Sequence, residues 1–214
     1  SSSNITLPSQ SNMNTTGVNT REYIDDFVTA QHIADAHEIN RGVAIQAGCA
    51  MGKSSAVRQL IAKRGNIPVL LIACRMVHSE DIAAQFGVSH YKDEDLVNPR
   101  NVSTTLNSLG KFARWVDEYG SEGMLILDEL RSILPIFNNK TCKNDACVTV
   151  LFELMTKVRY WVACDADLCI DGMCIEFLST FGAFSLLRYT TYKMPRVVEL
   201  CNDEDRWLDC FRTR

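Results

Sequence analysis

Long apolar runs are missing from this 214-residue chain. The longest, Val69–Cys74, falls far short of the roughly 20 residues that a membrane-spanning helix requires, so neither a transmembrane segment nor a membrane partner is expected. The opening S-S-S-N-I-T-L-P-S-Q-S-N-M-N-T-T-G lacks both a basic stretch and an apolar core, so it is not expected to act as a secretory signal. Residues 1–20 read instead as a polar, flexible lead-in. Basic residues do not outnumber acidic ones: 22 Lys and Arg stand against 26 Asp and Glu, a formal net charge of −4. That balance excludes a protein that coats nucleic acid by bulk electrostatics, while leaving a local basic track open.

Cysteine pairing is missing, although cysteine itself is not. The nine cysteines are odd in number and scattered through apolar segments, with Cys74 and Cys164 in strand patterns and Cys174 in a helix pattern. Buried thiols behave as small apolar residues, so this placement points to a reducing, intracellular compartment and not to a disulfide framework. Cys142 and Cys147 (C-K-N-D-A-C) lie further apart than zinc ligands usually do, with no second pair or histidine nearby. A loop carrying two free thiols is expected there. His78 and His90 likewise have no ligand-spaced partner and read as surface or capping residues.

What is present is an alternation of strand and helix patterns, the mark of an α/β domain with a mainly parallel sheet. The first strand is Gly42–Gln46, followed by a helix from about Lys53 to Lys63 with Ala56, Leu60 and Ile61 at helical spacing. A strand over Pro68–Cys74 is continuous in apolar residues, as burial on both faces demands. Ser79-Glu80-Asp81 opens a helix carrying Ile82, Ala83 and Phe86, its acidic residues suited to the positive helix end. Tyr91–Arg100 reads as a loop, Val102–Leu106 as a weaker strand, and Leu109–Tyr119 as a helix burying Phe112, Trp115 and Val116. The strand Met124–Asp128 follows, then a polar loop over Asn138–Asp145 and an amphipathic helix over Cys147–Val158. A strand over Tyr160–Cys164, a helix over Asp171–Phe181 and a strand over Ala183–Thr190 complete the pattern. Trp115, Trp161 and Phe177 are expected in the core.

Two stretches carry chemistry. Ala47-Gly48-Cys49-Ala50-Met51-Gly52-Lys53-Ser54, with Ser55 after it, joins a strand to a helix as a P-loop does, except that Ala47 stands where the leading glycine is usual. In such a loop backbone N–H groups surround the phosphates, Gly52 permits close approach, Lys53 reaches the β- and γ-phosphates, and the Ser54 hydroxyl ligates Mg²⁺. At Ala47 a methyl costs little if φ is negative and strains the loop if φ is positive. Asp128 ends an apolar strand, the edge where open α/β sheets bind ligands, and is expected to hold Mg²⁺, with Glu129 orienting or deprotonating the attacking water. Taken alone, Asp128-Glu129 also fits a helix N-cap; Lys53 upstream turns the pair toward an ATP site.

Asp128-Glu129-Leu130-Arg131 resembles the DExx motif of superfamily 2 helicases. Four stretches resemble more specifically the herpesvirus-type replication origin-binding helicase family: A-G-C-A-M-G-K-S, V-L-L-I-A-C-R (Val69–Arg75), L-I-L-D-E-L-R-S-I-L (Leu125–Leu134) and W-V-A-C-D-A-D-L (Trp161–Leu168). The resemblance covers about Tyr23 to Tyr192 and implies a RecA-like first motor lobe over residues 21–194 that binds ATP and Mg²⁺, with DNA as partner in replication. It implies that Arg75 reaches a strand-bound phosphate, against a surface salt bridge as the plain alternative. It implies that Ser108, in N-S-L, offers a hydroxyl to the DNA backbone, against capping of the helix from Leu109. Asp165 and Asp167 would couple the nucleotide site to a second lobe, against a role as turn residues. Gln31 lies where many such helicases place an adenine-reading glutamine. Residues 195–214 are expected to be a linker and the start of a second RecA-like lobe, which in two-lobed helicases supplies the arginine finger. Localisation in a nucleus or at a viral replication site is compatible with this. Two other readings stand beside it: a P-loop kinase or small nucleotidase, for which no Arg-rich lid is visible, and a non-enzymatic nucleic-acid-binding remnant of a viral or mobile-element helicase.

Overall fold

A computed structural model describes residues 17–93, 98–138, 145–170 and 172–190. Eight strands form one sheet: β1 (Val18–Ile24), β2 (Gly42–Gln46), β3 (Val69–Ala73), β4 (Ser89–His90), β5 (Asn101–Thr105), β6 (Met124–Asp128), β7 (Tyr160–Asp165) and β8 (Phe184–Thr190). Their order is β1-β8-β2-β7-β6-β3-β5-β4, and every pairing is parallel. Parallel neighbours need crossovers, and the helices α1 (Ala30–His37), α2 (Lys53–Lys63), α3 (Met76–Phe86), α4 (Ala113–Tyr119), α5 (Leu130–Ile133), α6 (Asp145–Lys157) and α7 (Met173–Ser179) supply them.

The period of two along each strand splits the core into two layers. Leu70, Ile72, Leu125, Leu127 and Ala163 point to one face and pack with Trp115 of α4, Leu151 and Leu154 of α6, and Leu178 of α7. Leu71, Ile126, Val162, Val43 and Ile45 point to the other and pack with Ile33 of α1, Val57 and Leu60 of α2, and Ile82 of α3. The expected α/β fold, a parallel sheet with helices on both faces, is therefore the observed one. Among the described residues no helix is long and apolar enough to cross a membrane.

Several boundaries move. β1 was not anticipated: V-N-T-R-E-Y-I is polar because it is an edge strand, half open to water, yet it pairs with β8 from Val18 to Ile24. α3 begins at Met76, so Ser79 does not cap it; Ser79 is buried, its hydroxyl 2.9 Å from that of Ser103 on β5. The helix expected from Leu109 is preceded by a 3-10 helix over Leu106–Phe112, and only Ala113–Tyr119 is α-helical. Cys147 holds that turn internally, accepting from Gly110 N–H at 3.4 Å and donating to Asn107 O at 3.5 Å. Cys142, the helix start at Asp171, and residues 195–214 lie outside the described residues.

His37 at the end of α1 is kept neutral by its surroundings. Its Nδ1 accepts from Arg64 Nη2 at 3.0 Å, and its Nε2–H donates to the Trp161 carbonyl at 3.3 Å. Burial and the Arg64 charge push its pKa down to about 3. The unfolded chain takes up this proton near the ordinary value of about 6.5 and the folded chain does not, so the contribution is complete above that value. Stability is therefore expected to fall as pH drops from about 6.5 towards 3, by up to about 1.4 kcal/mol per pH unit from this group. Urea unfolding at pH 7 and pH 5 checks it: His37→Gln should show a shallower loss between the two than the unsubstituted chain, and an equal loss contradicts the assignment.

Candidate functional site

Four neighbouring strands, β2, β7, β6 and β3, deliver the candidate residues to the same carboxyl edge of the sheet. After β2, residues 47–52 form the turn into α2. Ala47 is buried, packs in the α1–α3 layer and is not among the residues with positive φ, so its methyl sits in core without strain and the missing glycine is harmless. The left-handed positions are Ala50 (φ 61°) and Gly52 (φ 85°). At Gly52 a Cβ would come 3.3 Å from the Val28 carbonyl, while Val28 N–H ties down the Met51 carbonyl at 3.0 Å. Gly48, Cys49 and Ala50 are exposed, and Gly52 starts α2 without any side-chain cap. The first N–H groups of an 11-residue helix are thus left for another acceptor. Lys53 Nζ folds back over the loop, donating to the carbonyls of Ala47 (2.6 Å) and Gly48 (2.9 Å).

Ser54 and Asp128 are the two oxygen-bearing side chains lining a narrow crevice of about 10 Å³. Its other walls are Val57, Leu71, Ile82, Phe86, Ile126 and Cys164, so it marks where the two side chains meet and is not itself a ligand cavity. A hydroxyl and a carboxylate are hard oxygen donors of the kind that hold Mg²⁺ with phosphate oxygens and water completing the shell. Among the described residues no group of three or more His, Cys, Asp or Glu is placed to hold a metal ion. Asp128 Oδ2 receives a hydrogen bond from His78 Nε2 at 3.0 Å. This bond raises the His78 pKa, burial opposing it; His78 is partly exposed, lies inside α3, and is engaged with Asp128. Glu129 is exposed and adopts φ 58°, a left-handed conformation costly for a residue with a Cβ. It turns the chain from β6 into α5 and receives the Cys74 thiol on Oε2 at 3.1 Å. Burial, then the bond to Glu129, pushes the Cys74 thiol up to about 11. Cys74 itself lies just past β3, half-buried, and not within the strand as its apolar run suggested.

Asp165 joins these pieces. Its carbonyl accepts from Ala47 N–H at 3.1 Å, at the start of the phosphate-type loop. Its carboxylate accepts from Arg131 N–H (2.8 Å) and Asp167 N–H (2.9 Å). Asp167 lies 3.9 Å from Arg131 Nη1, and the three residues line an open hollow of about 360 Å³. Asp165 is thus a local turn residue and also a physical tie between the β2 loop and the segment after Asp128.

The remaining expectations separate. Arg75 is exposed at the N-cap of α3, and no carboxylate among the described residues pairs with it. Ser108 lies inside the 3-10 helix, half-buried, and caps nothing. Ser55 accepts from Gln59 at 3.4 Å and Gln31 donates to Asp35 at 2.7 Å, both on exposed faces. His90 packs edge-on against Tyr91. Sequence reasoning missed His78 because its partner lies 50 positions away, with no spacing rule to reveal it. A larger hollow of about 420 Å³, lined by Arg64, Arg159 and Tyr160, opens at the opposite end of the sheet, so cavity size alone would misplace the site.

No protein-family model and no curated sequence matches the chain. Among solved structures it is similar to a DEAD-box protein from the hyperthermophile Methanococcus jannaschii, with a TM-score of 0.51, 10% identity, and coverage of 71% of this chain and 46% of that one. It is also similar to S. cerevisiae Dbp5 bound to Nup159, Gle1, IP6 and ADP, with a TM-score of 0.50, 13% identity, and coverage of 71% and 44%. The shared feature is the RecA-like α/β fold. The chain spans less than half the length of either structure.

Proposed function

We propose that this chain is the ATP-binding lobe of a helicase or translocase motor. The observation that carries the reading is the meeting of Asp128 with Ser54, the second residue of the uncapped helix that opens on Lys53. The likeness to DEAD-box structures, one of them containing ADP, supports a motor over a kinase or nucleotidase. In this reading the N–H groups from Gly48 to Ser55 receive the phosphates, and Lys53 exchanges its two carbonyl partners for phosphate oxygens. Ser54 and Asp128 would hold Mg²⁺, which supplies charge neutralisation on the β- and γ-phosphates. Glu129, exposed next to Asp128, orients the attacking water and takes its proton. Asp165 transmits changes in the phosphate loop to Arg131 and Asp167. Arg75 and Ser108 offer contacts to a nucleic-acid backbone, DNA in the finer origin-binding reading, at an intracellular site of replication.

A transferred phosphoryl group also needs a charge-stabilising arginine, worth about 10³–10⁵ in rate, which two-lobed motors take from the other lobe. The chain alone is therefore expected to bind Mg·ATP but to hydrolyse it slowly, and not to separate strands. Phosphate release with and without single-stranded DNA tests this. Slow turnover indifferent to DNA is expected, and brisk DNA-stimulated hydrolysis by these residues alone would contradict it.

A further inference from the structure

Both acidic residues at the end of β6 are held by donors from one short segment. The chain leaving β3 passes beside Asp128 and Glu129, because β3 is the hydrogen-bonded neighbour of β6. Cys74 donates to Glu129 Oε2, and His78, one turn into α3, lies 3.0 Å from Asp128 Oδ2. An ionised carboxylate can only accept, so His78 Nε2 carries the hydrogen whatever the state of Nδ1. On the other side of β6 runs β7, whose Asp165 fixes the backbone of Arg131. The segment Asp128–Arg131 is thus clasped from both neighbouring strands.

We infer that His78 is a positioning residue for Asp128: by engaging Oδ2 it fixes the carboxylate plane and leaves Oδ1 for the cation that accompanies the nucleotide. The geometry favours this over incidental contact for two reasons. Asp128 is mostly buried, its side chain 18% exposed, so a second partner must come from the protein and not from bulk water. Asp128 also lines the crevice that Ser54 lines, so the carboxylate held by His78 is the one that meets the Ser54 hydroxyl's segment. A carboxylate held at one oxygen presents the other in a single orientation; released, it rotates and must be reordered each time the cation binds. Partners of this kind commonly change metal affinity about 10- to 100-fold when removed.

The inference rests on the nucleotide reading, and its test is built to keep the two apart. The quantity read is the ratio of ATP affinity with Mg²⁺ to that in excess chelator, measured by titration for the unsubstituted chain, His78→Ala and His78→Gln. The ratio is expected to fall about 10-fold in His78→Ala and to return in His78→Gln, whose amide can donate to the same oxygen. Affinity in chelator should be alike in all three, a result that general damage to the fold would not leave intact. An unchanged or increased ratio in His78→Ala, or a ratio in His78→Gln as low as in the alanine variant, overturns the positioning role while leaving the nucleotide site standing. If the unsubstituted chain binds no nucleotide at all, the site reading and this inference fall together.

Discussion

Trp161→Ala is expected to destabilise the fold by about 3–5 kcal/mol. The indole, on the second residue of β7, is 1% exposed and lies tilted against Phe184 of β8, ring centroids 5.7 Å apart. Across the sheet it fills the space left by Gly42, its register partner, where a Cβ would lie 2.0 Å from Cζ2. Removing it opens a cavity between β2 and β7, the two strands that carry the phosphate-type loop and Asp165, so both stability and nucleotide affinity should suffer. The indole Nε1 is buried with no hydrogen-bond partner among the described residues, a state that itself costs energy. Trp161→Phe therefore loses volume but also sheds an unsatisfied N–H, and should cost much less than alanine. Urea denaturation of the two variants checks the pair of claims; an alanine cost below about 1 kcal/mol would show that the site is less tightly packed than the geometry implies.

Lys53→Ala is expected to lower ATP affinity by about 10- to 100-fold or more with little change in stability. Hydrogen bonds to charged groups contribute about 1.5–3 kcal/mol each, and the ammonium is the one long-reaching cation of the loop. In the structure its donors rest on the carbonyls of Ala47 and Gly48. Gly48 is exposed, so water can replace the lysine there and the fold loses little. Titrating ATP into both forms alongside thermal melts separates the two effects. Equal affinity in the alanine variant would remove the phosphate role from this loop; no binding in either form would favour the non-enzymatic alternative.

Much of the architecture is legible in local pattern. Val69–Ala73 and Met124–Leu127 are continuous in apolar residues because both faces of a parallel strand are buried, and G-K-S after β2 needs a strand–turn–helix around it. The loop, Ser54 and Asp128 could thus be placed at the sheet's carboxyl edge from residues alone, whereas the sign of φ at Ala47 came only with the structure. What stayed hidden was set by tertiary contact. β1 is polar because only the β8 edge requires it, and Ser79 looks like a helix start but is buried against Ser103. His78 and Cys74 gain meaning only because β3 and β6 are neighbours, a fact that sequence order does not contain. The left-handed turn at Glu129 likewise has no signature in D-E-L-R.

The central claim is a location: Mg·ATP binds where β2 runs into α2, facing the end of β6. Backbone hydrogen exchange of the chain with and without Mg·ATP reads that location residue by residue. The account predicts slowed exchange over residues 47–55 and 128–131, and none around Arg64, Arg159 and Tyr160 at the far edge. Protection confined to that far edge, or none at saturating nucleotide, would contradict it.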